Sequence, residues 1–279
     1  MGTAAWYELM QGLAYLGDML DKMWAMLTAS PQSFKGGTIW SIIETINGVL
    51  GAVGTALLVL FFTIGVIKTC GSFAELKKPE TAVKVFIRFA IAKALVDNCL
   101  KLLVNFVIIV QSVISTITKA NPIGTALEFT IPSDVSSKFD SVGILDGAIP
   151  LWAVCFIAHI ALIVISMVLL LTVYGRFFRI FIYAAIAPIP LSTIAGQPTE
   201  NIGKSFLKSF AGVCLQGVVI VLACIIFTAY AASSPTAIDT TLEPIQMVWG
   251  YVVSVVFNML VLLGLVKGSD RIIHDMMGL

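Results

Sequence analysis

Two long runs without a charged residue constrain this chain more than any other feature: "GVLGAVGTALLVLFFTIGVI", Gly48 to Ile67, and "IPLWAVCFIAHIALIVISMVLLLTVY", Ile149 to Tyr174. Each is as long as the roughly 20 residues an α-helix needs to cross the hydrocarbon of a bilayer. No water is available there to bond backbone amides and carbonyls, so a spanning segment must satisfy them itself, as a helix does. No strand signal, long repeat or low-complexity run appears. Only 12% of the 279 residues are charged and 58% are hydrophobic, with a mean hydropathy of +0.99; a soluble domain carries about 25% charged residues. The expected fold is all-α, a polytopic membrane helical bundle.

Three further crossings follow from the same criterion, giving five at about 45–68, 94–118, 149–174, 206–231 and 244–266. Within the first, Gly48, Ala52 and Ala56 form a small-xxx-small row that lets another helix approach closely. Packing inside the bundle is the expected use of this row, and contact between subunits the sharper alternative. At the start of the second, Lys93, Asp97, Lys101 and Asn105 recur at four-residue intervals. Opposite charges at that spacing pair along one helix, so a structural ladder is expected rather than the lining of a hydrophilic path. His159 is the sole ionisable group of the third crossing. A proton relay needs a partner, and the sequence suggests no carboxylate at comparable depth. A neutral histidine bonded to a neighbouring helix is therefore expected.

Residues 1–36 form an expected extracytoplasmic segment ahead of the transmembrane bundle of 37–279. In it, Trp6, Leu9, Met10, Leu13, Leu20, Met23, Trp24 and Leu27 line one face of a helix, and Glu8, Gln11, Tyr15, Asp18 and Lys22 the other. Such a helix suits the membrane interface, with Trp6 and Trp24 as outer anchors at headgroup level, and could equally pack on a partner or on copies of itself. No basic region precedes it, and Glu8, Asp18 and Asp21 break up any apolar core, so a cleavable signal peptide is not expected. Residues 79–93 read as a second interfacial helix, with Pro79 suited to its first turn and Lys84 and Arg88 reaching toward headgroups.

The stretch "RFFRIFIYAAIAPIPLSTIAG", Arg176 to Gly196, decides the topology. Lysine and arginine accumulate on the cytoplasmic side of membrane proteins. If the stretch does not cross, 13 basic residues lie inside: Lys68, Lys77, Lys78, Lys84, Arg88, Lys93, Lys101, Arg176, Arg179, Lys204, Lys208, Lys267 and Arg271. Only Lys22, Lys35, Lys119 and Lys138 then lie outside. If it crosses, the split falls to 9 against 8. The expected arrangement is five full crossings with the N-terminus outside and the C-terminus inside. Residues 176–196 are then re-entrant and broken at Pro188 and Pro190, each of which lacks an amide donor. Lys84, Arg88, Arg176 and Arg179 mark the inner boundary.

Catalytic signatures are missing. The chain has no GxxxxGK[ST] phosphate loop, no HExxH, no GxSxG and only two histidines, so no enzyme, cofactor or metal centre is expected. Five cysteines lie in or beside apolar segments without CxxC spacing and read as packed free thiols.

The segments "LLLTVYGRFFRIFIYAAIAPIPLS" and "GKSFLKSFAGVCLQGVVIVLACII", with "FAELKKPETAVKVFIRFAIAKALVDN" ahead of them, resemble the TrbL family. That family is the polytopic inner-membrane component of conjugative type IV secretion systems, and the resemblance covers Gly48 to Val266. The short tail is similar to the compact versions on conjugative elements of Gram-positive bacteria. The resemblance implies a multi-pass protein of the bacterial cell membrane that assembles in several copies. It also implies contact with lipids, other secretion subunits and ATPases, and transient contact with relaxase-linked DNA. A small-solute transporter or channel with a discontinuous helix at Pro188–Pro190 is the competing class. A docking subunit for a cytosolic ATPase is the third.

Overall fold

The computed structural model describes residues 2–69, 79–120, 148–233 and 244–278. The loops expected between crossings at Lys119–Ala148 and Ala232–Glu243 lie almost wholly outside the described residues, as do Lys77, Lys78 and Cys70. Eight α-helices account for nearly everything else. They are α1 (Gly2–Thr28), α2 (Thr38–Thr69), α3 (Pro79–Asp97), α4 (Cys99–Ala120), α5 (Ala148–Ile186), α6 (Pro188–Ser192), α7 (Glu200–Ser233) and α8 (Pro244–Met277). No strand occurs among the described residues. Five helices are long and apolar enough to cross a membrane: Thr38–Lys68, Cys99–Ala120, Pro150–Ile186, Glu200–Ala231 and Ile245–Met277. This is a multi-pass protein of the cell membrane.

Two compact units are built from interleaved stretches. One takes Met1–Thr28, Ile114–Tyr174 and Gly217–Ser269; the other takes Ala29–Val113, Gly175–Gln216 and Asp270–Leu279. The boundary expected at residue 36 falls inside the Ala29–Val113 stretch of the second unit.

In the first unit α1 packs along the Ala148–Tyr174 part of α5. Leu9, Leu13, Leu16, Leu20, Met23 and Leu27 are buried at helical spacing, while Gln11, Asp18, Asp21 and Lys22 stay exposed. A Cβ on Gly12 would meet the Leu162 side chain at 3.1 Å and the His159 backbone at 3.2 Å, so the two helices approach closely there. His159 has a partner after all: its Nδ1 lies 2.7 Å from Glu8 Oε2. The expectation that no carboxylate reaches its depth is thereby corrected. Glu8 escaped notice because it is 151 residues away, on a helix assigned to the interface.

In the second unit α2 follows a 3-10 turn, Phe34–Gly37, in which Gly36 and Gly37 take φ values of 72° and 79°. Side chains rarely adopt that left-handed conformation. α2 then runs parallel to the end of α5. Phe34 stacks on Phe177 with ring centroids 5.0 Å apart, Trp40 meets Phe181 at 6.4 Å, and Asn47 reaches Ala184. On its other side α2 runs antiparallel to α3, with Thr55 beside Lys93 and Phe62 beside Phe89. α3 passes into α4 through Asn98, whose amide bonds Ala94 and whose carbonyl accepts from Leu102.

This geometry corrects part of the expected topology. Residue 34 was assigned outside, and Arg176, Arg179 and the C-terminal tail inside. Yet Phe34 touches Phe177, and Arg179 Nη1 bonds Asp270 Oδ1 at 2.5 Å. Groups in contact cannot lie on opposite faces of a hydrocarbon core about 30 Å thick. Phe34, Arg179 and Asp270 share one side.

α5 runs past Arg176 without a break, for 39 residues to Ile186, about 58 Å at 1.5 Å per residue. Arginine is a good helix former and its neighbours are apolar, so nothing in the chain ends the helix before the prolines.

Candidate functional site: the proline turn and its charged surround

The break falls at "APIP". Ala187 is still helical (φ −48°, ψ −40°), α6 holds Pro188 and Pro190, a 3-10 turn spans Thr193–Ala195, and Gly196 is extended. A helix carbonyl accepts from the amide four residues on, so Pro188 strands the carbonyl of Ala184 and Pro190 that of Ile186. Asn47 of α2, 8% exposed, donates its Nδ2 to the Ala184 oxygen at 2.7 Å. The rest of the turn closes on its own hydroxyls. Ser192 Oγ donates to the Ile189 carbonyl at 2.6 Å and Thr193 Oγ1 to that of Pro190 at 2.7 Å. Thr199 Oγ1 donates to the Thr193 carbonyl at 2.7 Å. α7 starts immediately afterwards and returns beside the turn.

Glycines make room for this packing. A Cβ on Gly54 would lie 2.7 Å from the Pro188 carbonyl oxygen and 2.9 Å from its Cβ. One on Gly196 would lie 2.6 Å from the Phe61 carbonyl oxygen, and one on Gly203 would lie 2.9 Å from that of Pro190. Backbone atoms yield little, so no larger side chain fits. By contrast Gly48, Ala52 and Ala56 are exposed, and a Cβ on Gly48 meets nothing. The small-residue row found in the sequence therefore faces away from the turn; Gly54 and Leu58 face it.

Around the turn sit the charges. Arg88 Nη2 of α3 lies 2.9 Å from Glu200 Oε2 at the start of α7, and Lys204 pairs with the same carboxylate. Lys93 pairs with Asp97 at 2.7 Å, and its Nζ is 3.4 Å from Thr55 Oγ1. Lys101 and Asn105 are exposed further along that face. Lys84 is exposed one turn before Arg88.

Of the four boundary cations, Arg176 stands apart. It is 2% exposed, its guanidinium lies 5.8 Å from the Phe177 ring centroid, and its Nε and Nη1 have no hydrogen-bond partner among the described residues. Trp24 is also turned inward, 8% exposed, whereas Trp6 is half-buried. Cys99, Cys155, Cys214 and Cys224 are buried and free. No cluster of three metal-ligating side chains occurs among the described residues.

Asn47 is the residue that sequence reasoning missed. The available signal was an amide side chain one position ahead of an apolar run, in a chain with prolines elsewhere that must strand carbonyls. Which carbonyl it served was not readable without the fold.

No curated protein and no solved structure matches the chain. The family model described as TrbL/VirB6 plasmid conjugal transfer like protein matches residues 17–188, from α1 to the first proline of the turn. The match covers more than half of the chain, which thus belongs to the TrbL/VirB6 plasmid conjugal transfer-like family.

Proposed function

We propose that this protein is a non-enzymatic membrane scaffold or channel component of a conjugative type IV secretion system. In this role it helps relaxase-linked DNA or protein substrate across the cell membrane, with energy from separate ATPases. The family match, which runs through the bundle to Pro188, carries this reading. The turn supports it against a solute transporter: the Ala184 carbonyl stranded by Pro188 is taken by Asn47, and Ser192, Thr193 and Thr199 occupy further carbonyls of the break. Discontinuous transporter helices use such groups for substrate or coupling ions.

The proposed topology keeps the N-terminus outside and the C-terminus inside but exchanges one crossing. α1, α4, α5 up to Tyr174, α7 and α8 cross. α2 and α3 lie at the cytoplasmic surface with the turn. This keeps Lys84, Arg88, Arg176, Arg179, Lys204 and Lys208 inside and adds Lys35 to them, in line with the charge rule. It also accounts for the shared side of Phe34, Arg179 and Asp270. Val49, Val53, Val59, Leu60 and Ile67 of α2 are exposed, so its apolar surface needs lipid of the inner leaflet or neighbouring subunits. α1, packed along a crossing helix, turns Gln11, Asp18, Asp21 and Lys22 outward. Polar groups at that depth require water or protein, which supports several copies arranged around a hydrophilic path.

Deleting the gene from its conjugative element tests the reading. Transfer should be lost while solute uptake is unchanged; lost uptake with intact transfer would favour the transporter.

A further inference from the structure

A cavity of about 330 Å³ opens in the second unit between α2, α3 and the end of the proline turn. That volume lies within the ~300–1,000 Å³ usual for small-ligand sites. Phe62, Val66 and Val85 form an apolar wall, and Lys84, Arg88 and Gln197 contribute polar groups. The back is rigid, because α2 and the turn meet there with a Cβ on Gly65 only 3.0 Å from Gly196 Cα.

We propose that this cavity binds the phosphate headgroup of an anionic phospholipid, with Lys84 and Arg88 holding the phosphate. Lys84 and Arg88 line the cavity, and Arg88 and Lys204 pair with the carboxylate of Glu200. Lys84 has no ion pair among the described residues and is exposed. With Glu80 one turn before Lys84, Lys84, Arg88 and Lys204 stand against two carboxylates, an excess of one positive charge that an anionic phosphate can pair with. Neighbouring surfaces are apolar: Val83, Phe86 and Ile87 on α3 are 55%, 68% and 51% exposed, and Ile67 on α2 is 67% exposed. Cations at the cavity beside exposed aliphatic and aromatic side chains suit an amphiphile, with the phosphate in the cavity and acyl chains along the apolar faces. A nucleic-acid backbone would leave those faces uncovered.

The test uses the full-length protein in detergent, with retained lipid counted by native mass spectrometry. The site predicts that phosphatidylglycerol stays bound at detergent levels that strip phosphatidylcholine. Lys84→Gln should weaken that retention about fivefold, the effect expected of one lysine near an anionic headgroup. Lys101→Gln, at another exposed lysine of the same unit, should leave it unchanged. Equal retention of both lipids, or equal losses in both variants, overturns the proposal. Displacement of the lipid by millimolar inorganic phosphate would make the ligand a free phosphate, and displacement by a single-stranded oligonucleotide would make it nucleic acid; either result also overturns it. None of these readouts involves conjugative transfer, so the lipid site and the proposed function can fail separately.

Discussion

Asn47 directs its amide at the one backbone carbonyl that Pro188 leaves without its helical donor, and the pair is buried. Asn47→Leu leaves that oxygen unsatisfied, which costs roughly 1–3 kcal/mol. Thermal unfolding in detergent should show a lower midpoint, and an unchanged midpoint would mean the bond does not hold the turn. Gly54→Val drives a side chain into the Pro188 backbone and should cost about 1–3 kcal/mol by overpacking. Gly48→Val, on the open side of the same helix, should leave the midpoint where it is. The contrast shows what the sequence can resolve at this scale. Pro188 and Pro190 were legible as the break because a missing amide is a property of the residue itself. Gly54 was not separable from Gly48, since small-residue spacing says that a close approach exists without saying which face receives it.

Among the elements, the helices were read well from apolar runs, and their ends were read where a proline intervenes. Arg176 leaves the helical hydrogen bonds intact, and the 39-residue α5 continues to Ile186, just ahead of the two prolines. α1 was read as amphipathic, and its buried leucines lie on the expected face. What its apolar face packs on is a long-range property carried by Gly12 and by Glu8 with His159. Both members of that pair are largely covered, with side chains 16% and 23% exposed for His159 and Glu8. Glu8→Ala should cost roughly 1–3 kcal/mol by leaving the imidazole without its partner. Limited proteolysis should then cut within α1 sooner than in the wild type, and an unaltered digestion pattern would show that the pair does not hold the helix in place.

The whole molecule has its topology written partly in charge and partly in contact. Counting lysines and arginines predicts the inner face, but it cannot detect that Phe34 stacks on Phe177, because a phenylalanine carries no sidedness. With an impermeant thiol reagent, Ser33→Cys and His274→Cys should react from the same side of intact cells or vesicles. Glu80→Cys should join them if α2 stays at the cytoplasmic surface; labelling of Glu80→Cys from the opposite side would restore α2 as a crossing. The functional claim rests on the transfer apparatus, and the most direct test is transfer frequency from donor cells lacking this gene and carrying it back on a plasmid. The account predicts loss of transfer on deletion, full rescue by the wild type and by Gly48→Val, and weaker rescue by Asn47→Leu in step with its lowered stability. Undiminished transfer from the deletion strain would contradict it.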